Sequence, residues 1–147
     1  MAKKIVTGVV VGLIVGGILI QFIPYGRDHT NPPVVAEPQW DSQQARDLAV
    51  SACHDCHSNQ TQWPWYSNIA PVSWLVQHDV DTGRSRLNFS QWNLPQRGAR
   101  EASRVVQDGR MPQWYYALLH PSASLAPTEK QILIQALQRL AGSASRP

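Results

Sequence analysis

The length, composition and charge of the chain limit its size and class. With 147 residues it has room for one domain once a targeting segment is set aside. Its share of charged residues, 16%, lies below the roughly 25% of an average soluble protein. Two of the 13 Lys and Arg residues are Lys3 and Lys4, so the rest of the chain is nearly neutral despite its net charge of +3. This distribution argues against a basic nucleic-acid-binding face, and we expect no nucleic-acid partner.

The N-terminal segment is long and apolar. Residues 5–23, IVTGVVVGLIVGGILIQFI, carry no charge, and a helix of that length spans about 28 Å, close to the hydrocarbon thickness of a bilayer. The apolar core of a cleaved signal peptide is shorter, about 7–15 residues, and ends in a small-residue site that QFIPYG lacks. We therefore predict an uncleaved transmembrane anchor, with a cleaved signal peptide as the alternative.

The lysines in front of this segment predict its orientation. Lys3 and Lys4 precede the apolar run, and positive charges favour the cytoplasmic side of a membrane. The prediction is a single-pass protein of the bacterial inner (cytoplasmic) membrane, with the N-terminus in the cytoplasm. The chain after residue 24 then lies in the periplasm or extracytoplasmic space.

Three glycines within the anchor have a spacing that allows close helix approach. Gly8, Gly12 and Gly16 form two overlapping G-x-x-x-G spacings, which predict a homodimer through the membrane helices. The alternative is that glycine is simply frequent in such helices.

Residues 24–40 are rich in proline. Pro24, Pro32, Pro33 and Pro38 are incompatible with a regular helix and favour an extended, semi-stiff segment. We predict a tether that holds the following domain off the membrane.

The remainder is predicted to be all-α, because apolar residues recur at helical spacing and no period-2 alternation is present. Four helices are expected: one capped by Asp41, one from Pro71 to about Gly83, one over residues 95–108, and one from Thr128, which has capping-box spacing with Gln131. Such a small core is near the size at which a bound cofactor adds much of the buried surface.

The chemistry-bearing motif is CHDCH, residues 53–57, which contains both cysteines of the chain. A thioredoxin-like motif follows a strand and opens a helix, and a zinc site needs four ligands. A c-type haem needs only what is present: Cys53 and Cys56 as thioether attachments and His57 as the axial iron ligand. We therefore predict one covalent haem c, on the side of the membrane where such attachment occurs.

The sixth iron ligand is predicted to be Met111. It lies in the segment GRMPQW, between the helix stop Gly109 and Pro112, on a constrained loop. The competing candidates are the histidines His78 and His120, with His54 and His29 less suited to the role. The alternative for a lone methionine is core filling.

Aromatic and polar residues near these ligands complete the predicted site. The tryptophans and tyrosines, Trp74 among them, are expected mainly as walls for the flat porphyrin. Arg84, Arg86 and Asn88 are candidates for pairing with the haem propionates, and solvated loop residues are the alternative. The predicted divisions are a cytoplasmic stub (1–4), the anchor (5–23), the tether (24–40), the haem-binding domain (41–142) and a tail (143–147).

The chain resembles a family of small haem-binding domains of the cytochrome c type. The resemblance is carried by CHDCHSNQTQWPWYSNIAPVSWLVQHDVDTGRSRLNFSQW, residues 53–92, and by DGRMPQWYYALLHPSASLAPTEKQIL, residues 108–133. It implies a cytochrome c-like helical domain around one covalent haem, and Met111 matches the methionine of the family's M-P segment. The distal loop departs from the family in the aromatic residues that follow Pro112.

A haem with both axial positions filled favours electron transfer over catalysis. We therefore expect a membrane-anchored electron carrier whose partners are other redox proteins, and an enzymatic activity stays open as an alternative. The alternatives are a haem c peroxidase-like enzyme, a gas or redox sensor with a displaceable distal ligand, or a structural subunit of a respiratory complex.

Overall fold

The computed structural model describes residues 1–143, so the last residues of the predicted tail, 144–147, lie outside it. Over this range the chain is helical, with one isolated parallel bridge between Ala36 and Gln91 in place of a sheet. The all-α prediction is confirmed. The helices are α1 (Ala2–Leu19), α2 (Gln43–Ala52), α3 (His54–His57), α4 (Val72–Arg86), α5 (Ala99–Gln107), α6 (Trp114–Leu119) and α7 (Pro127–Ser143).

The N-terminal helix has the length and apolarity expected of a membrane span. Together with a 3₁₀ turn at Ile20–Phe22, α1 forms a 21-residue helix over Ala2–Phe22 with a mean hydropathy of 2.4. Almost all of its side chains are exposed. One helix of the described chain is therefore apolar enough to cross a bilayer.

The chain divides into two compact units. The first comprises Met1–Thr30 and Trp63–Asp79, and the second comprises Asn31–Gln62 and the chain from Val80 onward. Helix α4 contributes its first part to the first unit and the rest to the second. Each unit therefore combines segments that are far apart in the chain.

The second half of the predicted tether is part of the second unit. Val35 and Ala36 donate backbone N–H bonds to the Ser90 carbonyl (2.9 and 3.1 Å), and Trp92 donates to the Ala36 carbonyl (2.9 Å). The Asn59 side-chain amide donates to the Pro33 carbonyl at 2.9 Å. The segment contains no helix, and its extended backbone is hydrogen-bonded to the irregular segment around Ser90 and Trp92.

The core of the second unit is built mainly by α5 packing on α7, with α2 against α7. The sequence predicts the inward face of α5 correctly, since Ala99, Ala102 and Val106 are buried. The core also includes residues of the irregular segment that follows α4. Its members are Ala49, Leu87, Phe89, Ala99, Ala102, Val106, Leu133, Ile134 and Leu137.

The helix ends differ from the predictions in their capping residues. Ser42 rather than Asp41 caps α2, because its Oγ accepts a hydrogen bond from the Ala45 N–H at 3.1 Å. Asp41 instead forms an ion pair with Arg139. At the start of α7 the Glu129 carboxylate accepts from the Ala126 N–H at 2.8 Å, so the capping interaction does not use the predicted pair.

Two helix lengths also differ from the predictions, and one helix was missed. Helix α4 continues through Gly83 to Arg86, and α5 begins at Ala99 instead of near residue 95. The Gln96 side-chain amide donates to the carbonyls of Gln91 and Leu94 (2.7 and 3.0 Å), which holds the preceding residues in a loop. Helix α6 follows Met111 and was not predicted.

Candidate haem-binding site

The CHDCH motif forms a single helical turn directly after α2. The Cys53 N–H donates to the Ala49 carbonyl at 2.9 Å, and the His57 N–H donates to the Cys53 carbonyl at 2.9 Å. Residues three and four positions apart lie on the same side of a helix, so this turn brings Cys56 and His57 to the side of Cys53. Both cysteines are free thiols in the structure.

Helix α4 approaches this turn at a glycine. A Cβ added to Gly83 would lie 2.3 Å from the Cys56 carbonyl oxygen and 2.9 Å from its carbon. Any side chain at position 83 would therefore collide with the backbone of the motif. The glycine that looks like a helix stop in the sequence is a close-packing position inside the helix.

The close approach lets α4 orient the His57 ring. His57 Nδ1 lies 3.1 Å from the Gly83 carbonyl oxygen and 3.0 Å from the Leu87 carbonyl oxygen. Both partners only accept, so Nδ1 carries the proton and donates to them, which leaves the Nε2 lone pair available. Burial lowers the pKa of His57, while these two backbone bonds oppose that shift. A neutral imidazole with Nδ1–H bonded to a carbonyl is the form in which histidine binds a metal through Nε2.

His57 and Cys53 open onto an apolar cleft of about 140 Å³ in the second unit. Aliphatic side chains of α5 form much of its wall, and Arg86 and Glu101 are its charged members. The cleft is lined by Ala52, Cys53, His57, Arg86, Leu87, Phe89, Gly98, Glu101, Ala102, Val105, Val106, Met111 and Leu137.

Met111 belongs to this lining, so the structure brings it to the same cleft as Cys53 and His57. The Met111 and Arg110 N–H groups donate to the Val105 carbonyl (3.2 and 2.9 Å), which ties the loop to the end of α5. Met111 is half-buried and packs against the core. The Met111 thioether, which can bind a metal, therefore shares the cleft with the His57 imidazole and the Cys53 thiol.

The competing histidines do not line the cleft. His54 is buried and stacks on Phe89 with ring centroids 5.3 Å apart, and burial lowers the pKa of His54 to about 4. His120 stacks on Tyr116 at 4.1 Å. His29 stacks on Trp63 at 4.5 Å, and His78 is exposed on α4.

Three of the predicted haem contacts are not among the residues that line this cleft. Arg84 donates to the Ser58 carbonyl (2.8 Å) and to the side chains of Thr61 and Asn31 (both 3.0 Å), which places its guanidinium in a structural network. Asn88 is buried and donates to the Asn59 side chain at 2.9 Å. Trp74 belongs to the first unit.

Several cleft residues carry no individual signal in the sequence. Phe89 is the aromatic member of the lining, whereas Trp65 and Trp114 are exposed. Phe89 lies in an irregular segment, held where its N–H donates to the His57 carbonyl at 2.8 Å. Glu101 is part of α5 and was not singled out. The α5 lining could have been found from the apolar face of that helix.

The segment that follows Met111 is also linked to the CHDCH motif, through Tyr116 of α6. Its hydroxyl donates to the Asp55 carboxylate at 2.7 Å, and the second carboxylate oxygen accepts from the Gln62 N–H at 2.8 Å. Burial, and then the bond to Asp55, raise the pKa of Tyr116 far above its usual value. The hydroxyl therefore remains protonated and keeps donating.

We predict that Tyr116→Phe destabilises the protein by about 2 kcal/mol, because a hydrogen bond to a charged group is lost while the ring is kept. The measurement is thermal unfolding of the full-length protein in detergent, followed by circular dichroism. Tyr25→Phe, at an exposed tyrosine, is the control and should leave the midpoint unchanged. Equal midpoints for Tyr116→Phe and the parent protein would contradict the assigned role.

The arrangement fits a haem better than the other uses of a C-x-x-C motif. Burial raises the pKa of the Cys53 thiol to about 12, whereas reactive redox cysteines have lowered pKa values. Within residues 1–143 no group of three or more His, Cys, Asp and Glu side chains is placed to hold a metal ion. The cleft instead offers apolar walls, one imidazole Nε2 and one thioether, which suit a flat apolar macrocycle with a central iron.

Comparison with known proteins identifies the family. Searches of curated proteins and of solved structures gave no significant match. A family model described as a haem-binding domain matches residues 15–139, which include the CHDCH turn, the cleft and Met111. This match covers most of the chain and agrees with the donors found in the cleft, and the chain therefore belongs to the haem-binding domain family.

Proposed function

We propose that this protein is a membrane-anchored c-type cytochrome with one haem c. In this proposal Cys53 and Cys56 would bind the haem covalently, and His57 and Met111 would bind its iron. The observation that carries it is the orientation of His57, whose Nδ1 is engaged by two backbone carbonyls in a cleft shared with Cys53 and Met111. With Nδ1 engaged in this way, Nε2 is the ring nitrogen that is left to bind an iron.

The proposed activity is the transfer of single electrons between redox proteins. A haem iron with both axial positions filled exchanges electrons without binding a substrate, and histidine with methionine raises its reduction potential. In this proposal the protein residues hold the iron ligands in place. The Gly83 and Leu87 carbonyls fix the orientation of the His57 imidazole. The Val105 carbonyl accepts from the N–H groups of Arg110 and Met111 and so fixes the start of the loop that carries Met111. Arg86 and Glu101 supply the charges at the cleft.

The proposed location is the extracytoplasmic face of the bacterial inner membrane. Support comes from the single apolar N-terminal helix and from Lys3 and Lys4 ahead of it. The redox partners would be membrane proteins or soluble proteins of the same compartment. Pairing of two anchors through Gly8, Gly12 and Gly16 also remains a proposal.

We predict that Met111→Ala removes the sulfur ligand while the covalent haem is kept. The oxidised parent protein should show the weak long-wavelength charge-transfer band of iron bound to methionine sulfur, and the variant should lack it. The variant should also become high-spin and bind carbon monoxide in the reduced state, because its sixth position is open. The measurement is the absorption spectrum of both redox states.

Val105→Ala is the matched control, since Val105 lines the same cleft but its side chain has no atom that can bind iron. It also shortens an aliphatic side chain and should retain the charge-transfer band. A parent protein that is already high-spin and binds carbon monoxide would overturn the proposed electron carrier and favour a peroxidase-like enzyme or a sensor.

A further inference from the structure

The first unit ties a second segment of the chain to the end of the anchor. The Gln21 side-chain amide donates to the Ala70 carbonyl at 2.9 Å, and the Ala70 N–H donates back to Gln21 Oε1 at 3.0 Å. Gln21 lies in the 3₁₀ turn that ends the apolar helix. Residues 65–75, here called the collar segment, are therefore held beside the point where the anchor ends.

The chain leaving the anchor continues along the collar segment. Gly26 has a φ of +80°, and a Cβ there would lie 2.4 Å from the Ser73 carbonyl oxygen, so only glycine fits. Three residues later, His29 Nε2 lies 3.2 Å from the Ser67 carbonyl oxygen. These contacts, together with the Gln21 pair, fix the collar segment along several residues of the emerging chain.

The collar segment exposes apolar side chains. Trp65 is 76% exposed, and Ile69, Val72 and Leu75 are exposed as well. No Asp, Glu, Lys or Arg occurs between residues 63 and 78. Exposed apolar side chains that recur along an uncharged segment indicate an interaction surface.

We infer that the collar segment rests in the lipid interface around the anchor, so that the protein contacts the membrane at a second place. The inference rests on the proposed membrane insertion of α1. Gln21 lies two residues before the end of the apolar run, and the headgroup region beyond the hydrocarbon is only about 6 Å thick on each side. A segment hydrogen-bonded to Gln21 is within reach of that region.

The composition of the first unit favours lipid as the occupant. Five of the ten Trp and Tyr residues belong to it: Tyr25, Trp63, Trp65, Tyr66 and Trp74. Tryptophan and tyrosine are enriched where the hydrocarbon meets the headgroups. The collar segment contains no Asp, Glu, Lys or Arg, which fits insertion of its apolar side chains into this layer, in contrast to electrostatic adsorption on anionic lipids.

The test is photocrosslinking in the full-length haem protein within its native membrane. A photoreactive benzophenone side chain is introduced, one variant at a time, at Trp65, at Ile14 within the anchor, and at Asn93, an exposed residue of the second unit. Lipid adducts are then counted by mass spectrometry. We expect the lipid-adduct yield at position 65 to approach that at position 14 and to exceed that at position 93 several-fold.

The two reference positions separate the possible failures. Lipid adducts at position 14 but not at position 65 would overturn the inference and leave the membrane anchor intact. Adducts of position 65 with a protein, including a second copy of the chain, would assign the surface to that partner and also overturn it. If position 14 gives no lipid adduct, the proposed anchor fails and the inference fails with it.

Discussion

Replacing both cysteines, Cys53→Ala with Cys56→Ala, is expected to abolish the haem that stays with the polypeptide after denaturation. Thioether bonds survive unfolding, whereas coordination by His57 and Met111 and contacts in the cleft do not. The measurement is haem staining of the chain after denaturing electrophoresis. The parent protein should stain, and the double variant should not.

The double variant should also lose stability, because a weakly held haem can leave the cleft. Without a cofactor, the cleft lined by Phe89, Val105 and Leu137 loses the apolar surface that the macrocycle would bury, and a small domain has little other core to compensate. Met111→Ala is the contrasting variant and should keep the full stain, since it alters only an iron ligand. Extraction of the haem from the denatured parent protein would contradict covalent attachment while leaving a haem-binding domain.

The local parts of the site could be predicted from the sequence because they depend on short spacings. CHDCH occupies one helical turn, so the spacing of Cys53, Cys56 and His57 determines which side of that turn they share. The inward face of α5 follows from the recurrence of Ala99, Ala102 and Val106, and it supplies both core and cleft. The flanking Gly109 and Pro112 likewise indicate that Met111 lies on a loop.

The remaining contacts depend on residues that are distant in the chain. The sequence makes Arg84 a candidate partner of a haem propionate. In the structure its guanidinium donates to acceptors on Asn31, Ser58 and Thr61. A long side chain with several donors binds whichever acceptors the fold brings near, and no pattern in its own segment shows them. The position of Phe89 is equally hidden in the sequence, because a hydrogen bond from its N–H to the distant His57 carbonyl holds it at the cleft.

The same limit explains the misread role of Gly83. Glycine often ends a helix, and local sequence alone cannot distinguish that role from one set by a neighbouring segment. In the structure α4 continues past Gly83, and the Gly83 carbonyl accepts a hydrogen bond from His57 Nδ1. Position 83 requires glycine because the Cys56 backbone, 27 residues earlier in the chain, lies against it in the folded protein.

Gly83→Ala is accordingly expected to be the most damaging single substitution of a residue that cannot bind the haem. The added Cβ would lie 2.3 Å from the Cys56 carbonyl oxygen, and neither helix backbone can move aside as a flexible side chain can. We expect a loss of about 3 kcal/mol of stability, at the upper end of the usual cost of overpacking. Moving α4 away would also lengthen the bonds from His57 to the Gly83 and Leu87 carbonyls. The variant should therefore show a changed haem spectrum as well as a lower unfolding midpoint.

Gly142→Ala is the matched control, because a Cβ at this α7 position meets no atom within 4 Å. Alanine is the better helix former by up to about 1 kcal/mol, so the control should be neutral or slightly stabilising and leave the haem spectrum unchanged. Both variants are compared in the full-length protein by thermal unfolding in detergent and by absorption spectroscopy. If Gly83→Ala behaved like Gly142→Ala, α4 would not be what holds His57 in place, and the imidazole orientation on which the proposed function rests would need another cause.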